Sequence, residues 1–146
     1  MRRQGGGDAA GTGQEGEQLM FKAVLSPPNA ILFVFDPTNA DVVIPPYVDG
    51  ELTAATETCV SVGTQADVDG ETEVFLEMAA VTQPDLQQVF AGSVAAPGGK
   101  VAVVTSEFHR LLELDVPKGG VEIVIWTDDL RNPARVVVNV KPSAVT

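Results

Sequence analysis

The fold is decided by residues 100–127, which read KVAVVTSEFHRLLELDVPKGGVEIVIWT. Over 113–116 (ELDV) and 121–126 (VEIVIW), every second residue is apolar and the residues between them form a mixed face, which is the period of a half-buried strand. Pro117-Lys118-Gly119-Gly120 separates these runs and has the composition of a turn. We therefore expect strands over residues 100–105, 107–115 and 120–127.

The same pattern continues towards both ends of the chain. Short runs of β-branched and aromatic residues, separated by Pro, Gly, Asn and Asp, predict further strands at 20–25, 30–36, 52–63, 72–81, 86–95 and 134–141. No segment keeps a helical period for longer than about one turn. About eight or nine such strands predict an all-β fold, an antiparallel β-sandwich. Residues 19–146 are expected to form it as a single domain, since a chain of 146 residues is too short for two ordinary ones.

Two details of this sandwich can also be predicted. Asp69-Gly70 lies between the runs 59–62 and 72–76, and we expect it to close a β-hairpin because both residues tolerate a positive φ. Trp126 shares an alternating face with Val124, so we expect both side chains in the core.

Residues 1–18 (MRRQGGGDAAGTGQEGEQ) differ from the rest of the chain. They contain six glycines and no aromatic residue, so they cannot bury enough apolar surface to offset the entropy lost on ordering. We expect a flexible tail. It lacks the apolar stretch of a secretory signal, and no apolar run in the chain is long enough to span a membrane. A cytoplasmic location is therefore expected.

The charge of the chain is unevenly distributed. The formal net charge is −11. Residues 1–22 and 100–146 are each neutral in sum, whereas residues 23–99 contain eleven acidic residues and no Lys or Arg. Such a field repels nucleic-acid backbones and anionic membranes and attracts basic proteins. The sequence therefore disfavours direct nucleic-acid or membrane binding and favours a basic protein partner; the alternative is that the acidity only serves solubility.

The residues offer little support for an enzyme. The chain has one histidine, His109, and one cysteine, Cys59, which leaves no histidine pair for zinc and no disulfide framework. We expect His109 within a strand and Cys59 as a small buried apolar side chain. An enzyme would require two carboxylates converging beside His109. No catalytic residue and no cofactor are predicted.

Carboxylates are the candidate functional groups. Asp67, Asp69, Glu71 and Glu73 cluster around one glycine turn, and Asp128-Asp129 follows the strand that ends after Trp126. We interpret these six residues as a partner-binding rim to which a basic protein would be steered. Asp67, Asp69 and Glu71 are also lesser candidates for a calcium site, since calcium prefers oxygen ligands, although the spacing does not match an EF-hand loop. A calcium-dependent or carbohydrate-binding β-sandwich is therefore the alternative function.

The C-terminal half resembles a known family. Residues 90–129 resemble the closing hairpins of the competence protein J family. Within them, residues 112–127 (LELDVPKGGVEIVIWT) are similar to the strand, Pro-Lys-Gly turn and strand ending in Trp-Thr of that family, and residues 58–76 resemble its middle segment. These are small bacterial proteins that inhibit a nuclease acting as DNA enters the cell. The resemblance implies a β-sandwich that works by binding another protein. It makes an inhibitor or immunity-type protein that blocks a basic nuclease or toxin our first hypothesis.

Overall fold

The protein is described by a computed structural model for residues 20–78 and 84–142. Within these residues, ten strands form two sheets of five. Sheet A has the order β1 (Met20–Leu25), β5 (Thr72–Met78), β10 (Arg135–Pro142), β9 (Gly119–Thr127) and β6 (Gln87–Ala96). Sheet B has the order β3 (Thr53–Ala55), β4 (Cys59–Gly63), β2 (Ile31–Phe35), β7 (Lys100–Thr105) and β8 (Arg110–Asp115). The predicted all-β sandwich is confirmed.

The core lies between the two sheets. Every second residue of the central strands points into it, as the two-residue period of a strand requires. The largest fully buried side chains are Leu32, Leu76, Ile123 and Ile125, surrounded by valines of β2, β4, β5, β7 and β10. Removing this much apolar surface from water is the main stabilising contribution to the fold.

Sheet B is covered on its outer face as well. Phe33, Phe35 and Cys59 point away from the core, yet each is at most 9% exposed, because they pack into a second apolar cluster to which Val42 contributes. Val42 belongs to residues 37–52, a covering segment without regular strands. This explains why β2 (ILFVF) is a continuous apolar run without alternation: both of its faces are buried.

Several strand predictions need correction in their bounds or pairing. The predicted strand 52–63 is two strands, β3 and β4, which pair with each other. The predicted strand 107–115 begins only at Arg110, so His109 lies in the preceding turn and not in a strand. The sandwich is not wholly antiparallel, since β5 and β10 are parallel. Both of these strands begin after connections at the same end of the sandwich, so they run in the same direction.

The predicted hairpin at Asp69-Gly70 is wrong. β4 pairs in sheet B, whereas β5 pairs in sheet A, so residues 64–71 cross between the sheets. We call them the crossover loop. A 3-10 turn at Asp67–Asp69 and a φ of +117° at Gly70 do bend the chain there. Asp69 and Gly70 therefore do form a bend, but the two strands they connect do not pair with each other. Turn residues do not determine whether the strands on either side share a sheet.

The prediction that Trp126 and Val124 lie in the core is also wrong. Val121, Ile123 and Ile125 form the buried face of β9, and Trp126 lies half-buried on the outer face of sheet A. There the Trp126 indole Nε1 donates to Asn139 Oδ1 at 2.8 Å. Asn139 Nδ2 in turn donates to Glu77 Oε1 at 2.9 Å.

Some predictions fall outside the described residues. The tail at 1–18 and residues 79–81 of the strand predicted at 72–81 belong to this group. Among the residues that are described, no helix has the length and apolar character needed to cross a membrane.

Candidate protein interface

The predicted carboxylates are gathered at one end of the sandwich, which we call the loop end. It consists of the crossover loop, the β9–β10 connection at 128–134 and the turns at 26–30 and 106–109. The β9–β10 connection accepts two backbone hydrogen bonds of 2.9 Å: Gln65 N of the crossover loop donates to Pro133 O, and Glu73 N at the start of β5 donates to Ala134 O. The structure therefore brings the two predicted groups of acids, 67–73 and 128–129, next to each other.

Asp128 and Asp129 have structural partners at this end. Asp128 Oδ1 accepts hydrogen bonds from the backbone N–H groups of Ala134 and Arg135. Asp129 Oδ2 accepts from the N–H groups of Arg131 and Asn132, at 2.9 and 2.7 Å. These hydrogen bonds, first that from Asn132, lower the pKa of Asp129. Both carboxylates hold the shape of the β9–β10 connection.

Glu73 is neutralised within the chain. Arg135 Nε donates to its Oε1 at 3.0 Å, and Lys22 Nζ lies 3.4 Å from its Oε2. The Arg135 hydrogen bond is the main cause of a lowered pKa at Glu73. Because two cations already surround this carboxylate, it attracts a basic partner less strongly than the carboxylates of the crossover loop do.

Asp67, Asp69 and Glu71 are different. All three are exposed, and within residues 20–78 and 84–142 none of them forms an ion pair with a Lys or Arg. Gln65 Nε2 donates to the backbone O of Glu71, which fixes the loop but leaves its carboxylate free. No three potential metal ligands of the described chain lie close enough to hold a cation. The geometry thus gives no support to the calcium alternative.

A groove reaches the start of the crossover loop, where Thr64 lines it. One part, of about 280 Å³, lies between sheet B and the covering segment and is lined by Ile31, Tyr47, Leu52 and Ser61, among others. A second part, of about 550 Å³, extends towards Leu130 and Arg131. Both parts share Asn29, Ala30, Tyr47, Glu51, Leu52 and Gly63. Groove-lining residues such as Asn29, Glu51 and Leu130 were missed by sequence reasoning, because they come from loops that only the fold brings together.

The turns at 26–30 and 106–109 of the loop end have unusual backbone conformations. Asn29 and Ala30 have φ values of +60° and +54°, and Phe108 has +65°. Such values are uncommon outside glycine and store strain. Asn29 Nδ2 donates to Ser106 Oγ, which donates to Pro28 O, so the two turns are joined. The Pro27-Pro28-Asn29 sequence indicated a turn here, but nothing in it indicated that this turn would border a groove.

The residues considered for catalysis do not form a site. His109 is exposed and lines neither part of the groove. Cys59 is fully buried, as expected, and burial raises the pKa of its thiol to about 12. A thiol of this kind is protonated at neutral pH and is a poor nucleophile.

Comparison with known proteins identifies the fold. No family model matches the chain, and no curated protein matches it. Two solved structures are similar. "Crocagin biosynthetic gene J" has a TM-score of 0.53 and 10% identity, over 87% of this chain and 97% of that one. ComJ, an inhibitor of the DNA degrading activity of NucA from Bacillus subtilis, has a TM-score of 0.64 and 15% identity, over 88% of this chain and 100% of that one. The resemblance to the competence protein J family is thereby confirmed at the level of structure: the chain has the fold of ComJ.

Proposed function

We propose that this chain is a non-catalytic inhibitor that binds a nuclease with a basic surface and blocks its access to DNA. The main support is the exposed crossover loop, in which Asp67, Asp69 and Glu71 form no ion pair with a Lys or Arg of the described residues. Asp49 and Glu51 add two exposed carboxylates beside the groove. The shared fold with an inhibitor of a nuclease supports the choice of partner.

The physical basis is competition for the same cationic surface. A nuclease holds the phosphates of DNA with positive charge, and a rigid array of carboxylates is complementary to that charge. The crossover loop is suited to this because the Gln65 backbone N–H donates to Pro133 O of the β9–β10 connection and the Gln65 side chain donates to Glu71 O, which restrains the loop. Little conformational entropy is then lost when it docks.

The experiment is a titration of NucA with the purified full chain while DNA degradation is measured. We expect stoichiometric inhibition. It should weaken as the salt concentration rises from about 50 to about 300 mM, because salt screens exposed charges. A variant with Asp67→Asn, Asp69→Asn and Glu71→Gln should bind at least tenfold more slowly, since rim charges act mainly on the association rate.

A matched control is a variant with Glu57→Gln, which removes an exposed carboxylate outside the loop end. It should inhibit like the wild type. Absence of inhibition by the wild-type chain at any molar ratio would overturn the proposed function. Inhibition that the triple variant retains in full at low salt would overturn the role of the crossover loop.

A further inference from the structure

We propose that the groove at the loop end is the central contact for the basic partner and takes an Arg or Lys side chain, with Tyr47, which lines the groove, and Phe108, on the neighbouring turn at 106–109, as aromatic anchors. This inference rests on the proposed function and specifies its binding site. The carboxylates considered above steer the partner, whereas the groove and its two aromatic rings hold it.

The first argument is the exposure of the two rings. Tyr47 is 75% exposed and Phe108 is 64% exposed. Tyr47 lines the groove, and Phe108 lies two residues after Ser106, which lines it too. Large aromatic side chains near a groove are the residue type that most often dominates the binding energy of protein interfaces.

The second argument is that the chain holds Phe108 outward at a conformational cost. Its φ of +65° is unfavourable for a residue with a side chain. Thr105, 2% exposed, fixes this turn: its Oγ1 accepts hydrogen bonds from the N–H groups of Glu107 and His109, both at 3.2 Å. Strained conformations of this kind persist where surrounding structure enforces them and are concentrated at functional sites.

The third argument concerns Tyr47. Its hydroxyl donates to Asp49 Oδ1 at 3.2 Å, and this hydrogen bond raises the pKa of the phenol. The ring is thus restrained in place, and its face is available to a cation. A guanidinium over an aromatic face gains cation–π attraction, and the nearby carboxylates of Asp49 and Glu51 would add charge complementarity.

Charge selects the class of occupant. Five of the eleven acidic residues in 23–99 lie in the crossover loop and beside the groove, namely Asp49, Glu51, Asp67, Asp69 and Glu71. Arg131 lines the wider part of the groove, whereas none of the described residues that line the narrower part is a Lys or Arg. A second copy of this acidic chain would meet repulsion here, whereas a basic protein would not.

The test is to measure binding of NucA to the full chain by surface plasmon resonance for three single variants, Tyr47→Ala, Phe108→Ala and the control Met20→Ala. Met20 is 56% exposed on β1, in the first position of that strand. Alanine at 108 must adopt the same positive φ as Phe, so Phe108→Ala removes the ring without altering the demand on the backbone. Urea unfolding of each variant verifies that the fold is retained.

We expect Tyr47→Ala and Phe108→Ala each to raise the dissociation rate at least tenfold. Their association rates and salt dependence should stay within a factor of two of the wild type, and Met20→Ala should change neither. The triple variant of the crossover loop (Asp67→Asn, Asp69→Asn and Glu71→Gln) should show the opposite pattern, a slower association rate with little change in the dissociation rate.

The failures of the two proposals are distinguishable. If the wild-type chain does not bind NucA, the proposed function is overturned. If it binds but loss of either ring has no more effect than Met20→Ala, the groove is not the contact and this inference alone is overturned. Two other results would also overturn it: a wild-type dimer that Phe108→Ala dissociates, which assigns the groove to a second copy, or tighter NucA binding after removal of residues 1–18, which assigns it to the chain's own tail.

Discussion

Asp36 and Gly98 are 62 residues apart in the chain, yet the Asp36 carboxylate Oδ2 accepts a hydrogen bond of 2.7 Å from Gly98 N. Asp36 is fully buried at the end of β2, and its other oxygen, Oδ1, accepts from the N–H and the hydroxyl of Thr38. One carboxylate therefore fixes both the start of the covering segment and the turn between β6 and β7.

Replacement of Gly98 by Ala should destabilise the protein by about 1–3 kcal/mol, the usual cost of overpacking. A Cβ at this position would overlap the Thr38 side chain and approach Asp36 Oδ2 to 3.1 Å. The measurement is the free energy of unfolding in urea. The control is Gly120→Ala, where the nearest atom to a Cβ is 3.9 Å away. Equal stability of the two variants would contradict the close packing of Gly98 against Thr38.

Replacement of Asn139 by Ala should leave the Trp126 indole N–H without its acceptor and remove a donor to Glu77. Asn139 is 3% exposed, so a loss of stability of about 1–3 kcal/mol is expected when the part-buried indole N–H loses its acceptor. Since Trp126 is the only tryptophan, its fluorescence reports the change directly. An emission spectrum identical to that of the wild type would show that the indole does not depend on Asn139.

Glu73 should make the protein sensitive to acid. Its pKa is lowered in the folded state, mainly by the hydrogen bond from Arg135. Its contribution is therefore fully present above the pKa of an unfolded glutamate, about 4.3, and is lost as the pH falls through the lowered folded value. The variant Glu73→Gln should have a lower urea midpoint than the wild type at pH 7, and this difference in midpoint should shrink below about pH 4.

The comparison for this experiment is Glu57→Gln, an exposed carboxylate outside the cluster formed by Lys22, Glu73 and Arg135. Its urea midpoint should follow that of the wild type at every pH. A constant difference between Glu73→Gln and the wild type from pH 7 down to pH 3 would contradict the ion-pair explanation.

Cys59 should react slowly with thiol reagents in the native protein. It is fully buried beneath the covering segment, and burial raises its pKa to about 12. Labelling therefore requires opening of that segment. Thr56 Oγ1 donates to Val43 O, and Val43 N donates to Thr58 Oγ1. Loss of one such bond costs roughly 1 kcal/mol, so Thr58→Val should accelerate labelling about fivefold.

The labelling control is the same reaction in guanidinium chloride, in which wild type and Thr58→Val should react equally fast. Rapid labelling of the native wild-type chain at pH 8 would refute the burial of Cys59. An unchanged rate in Thr58→Val would show that the covering segment is held by other contacts.

The strand content of the fold could be predicted because alternation is a local property. Which face of β9 is buried could not, because Val121, Ile123 and Ile125 compete with Val124 and Trp126, and both sets are apolar. Only the neighbouring strand resolves this choice, since Asn139 of β10 accepts the indole N–H on the outer face.

The candidate site was predicted in part. The excess of acids in 23–99 is visible in the sequence, and the fold does gather Asp67, Asp69 and Glu71 at one end. The pairing of Glu73 with Arg135, 62 residues away, depends on the parallel β5–β10 register and so could not be inferred from charge counting. The exposure of Phe108 on a turn with a positive φ likewise could not be predicted, because it depends on the hydrogen bonds that Thr105 accepts in the folded chain.

The position of β10 has a consequence for the order of assembly. β10 is the last of the described strands in sequence, yet it occupies the middle of sheet A, between β5 and β9. Until it inserts, β1 and β5 are separated from β9 and β6, and the edges of β5 and β9 that face each other lack their backbone hydrogen-bond partners. A growing polypeptide on the ribosome therefore cannot complete sheet A until residues 135–142 have been synthesised.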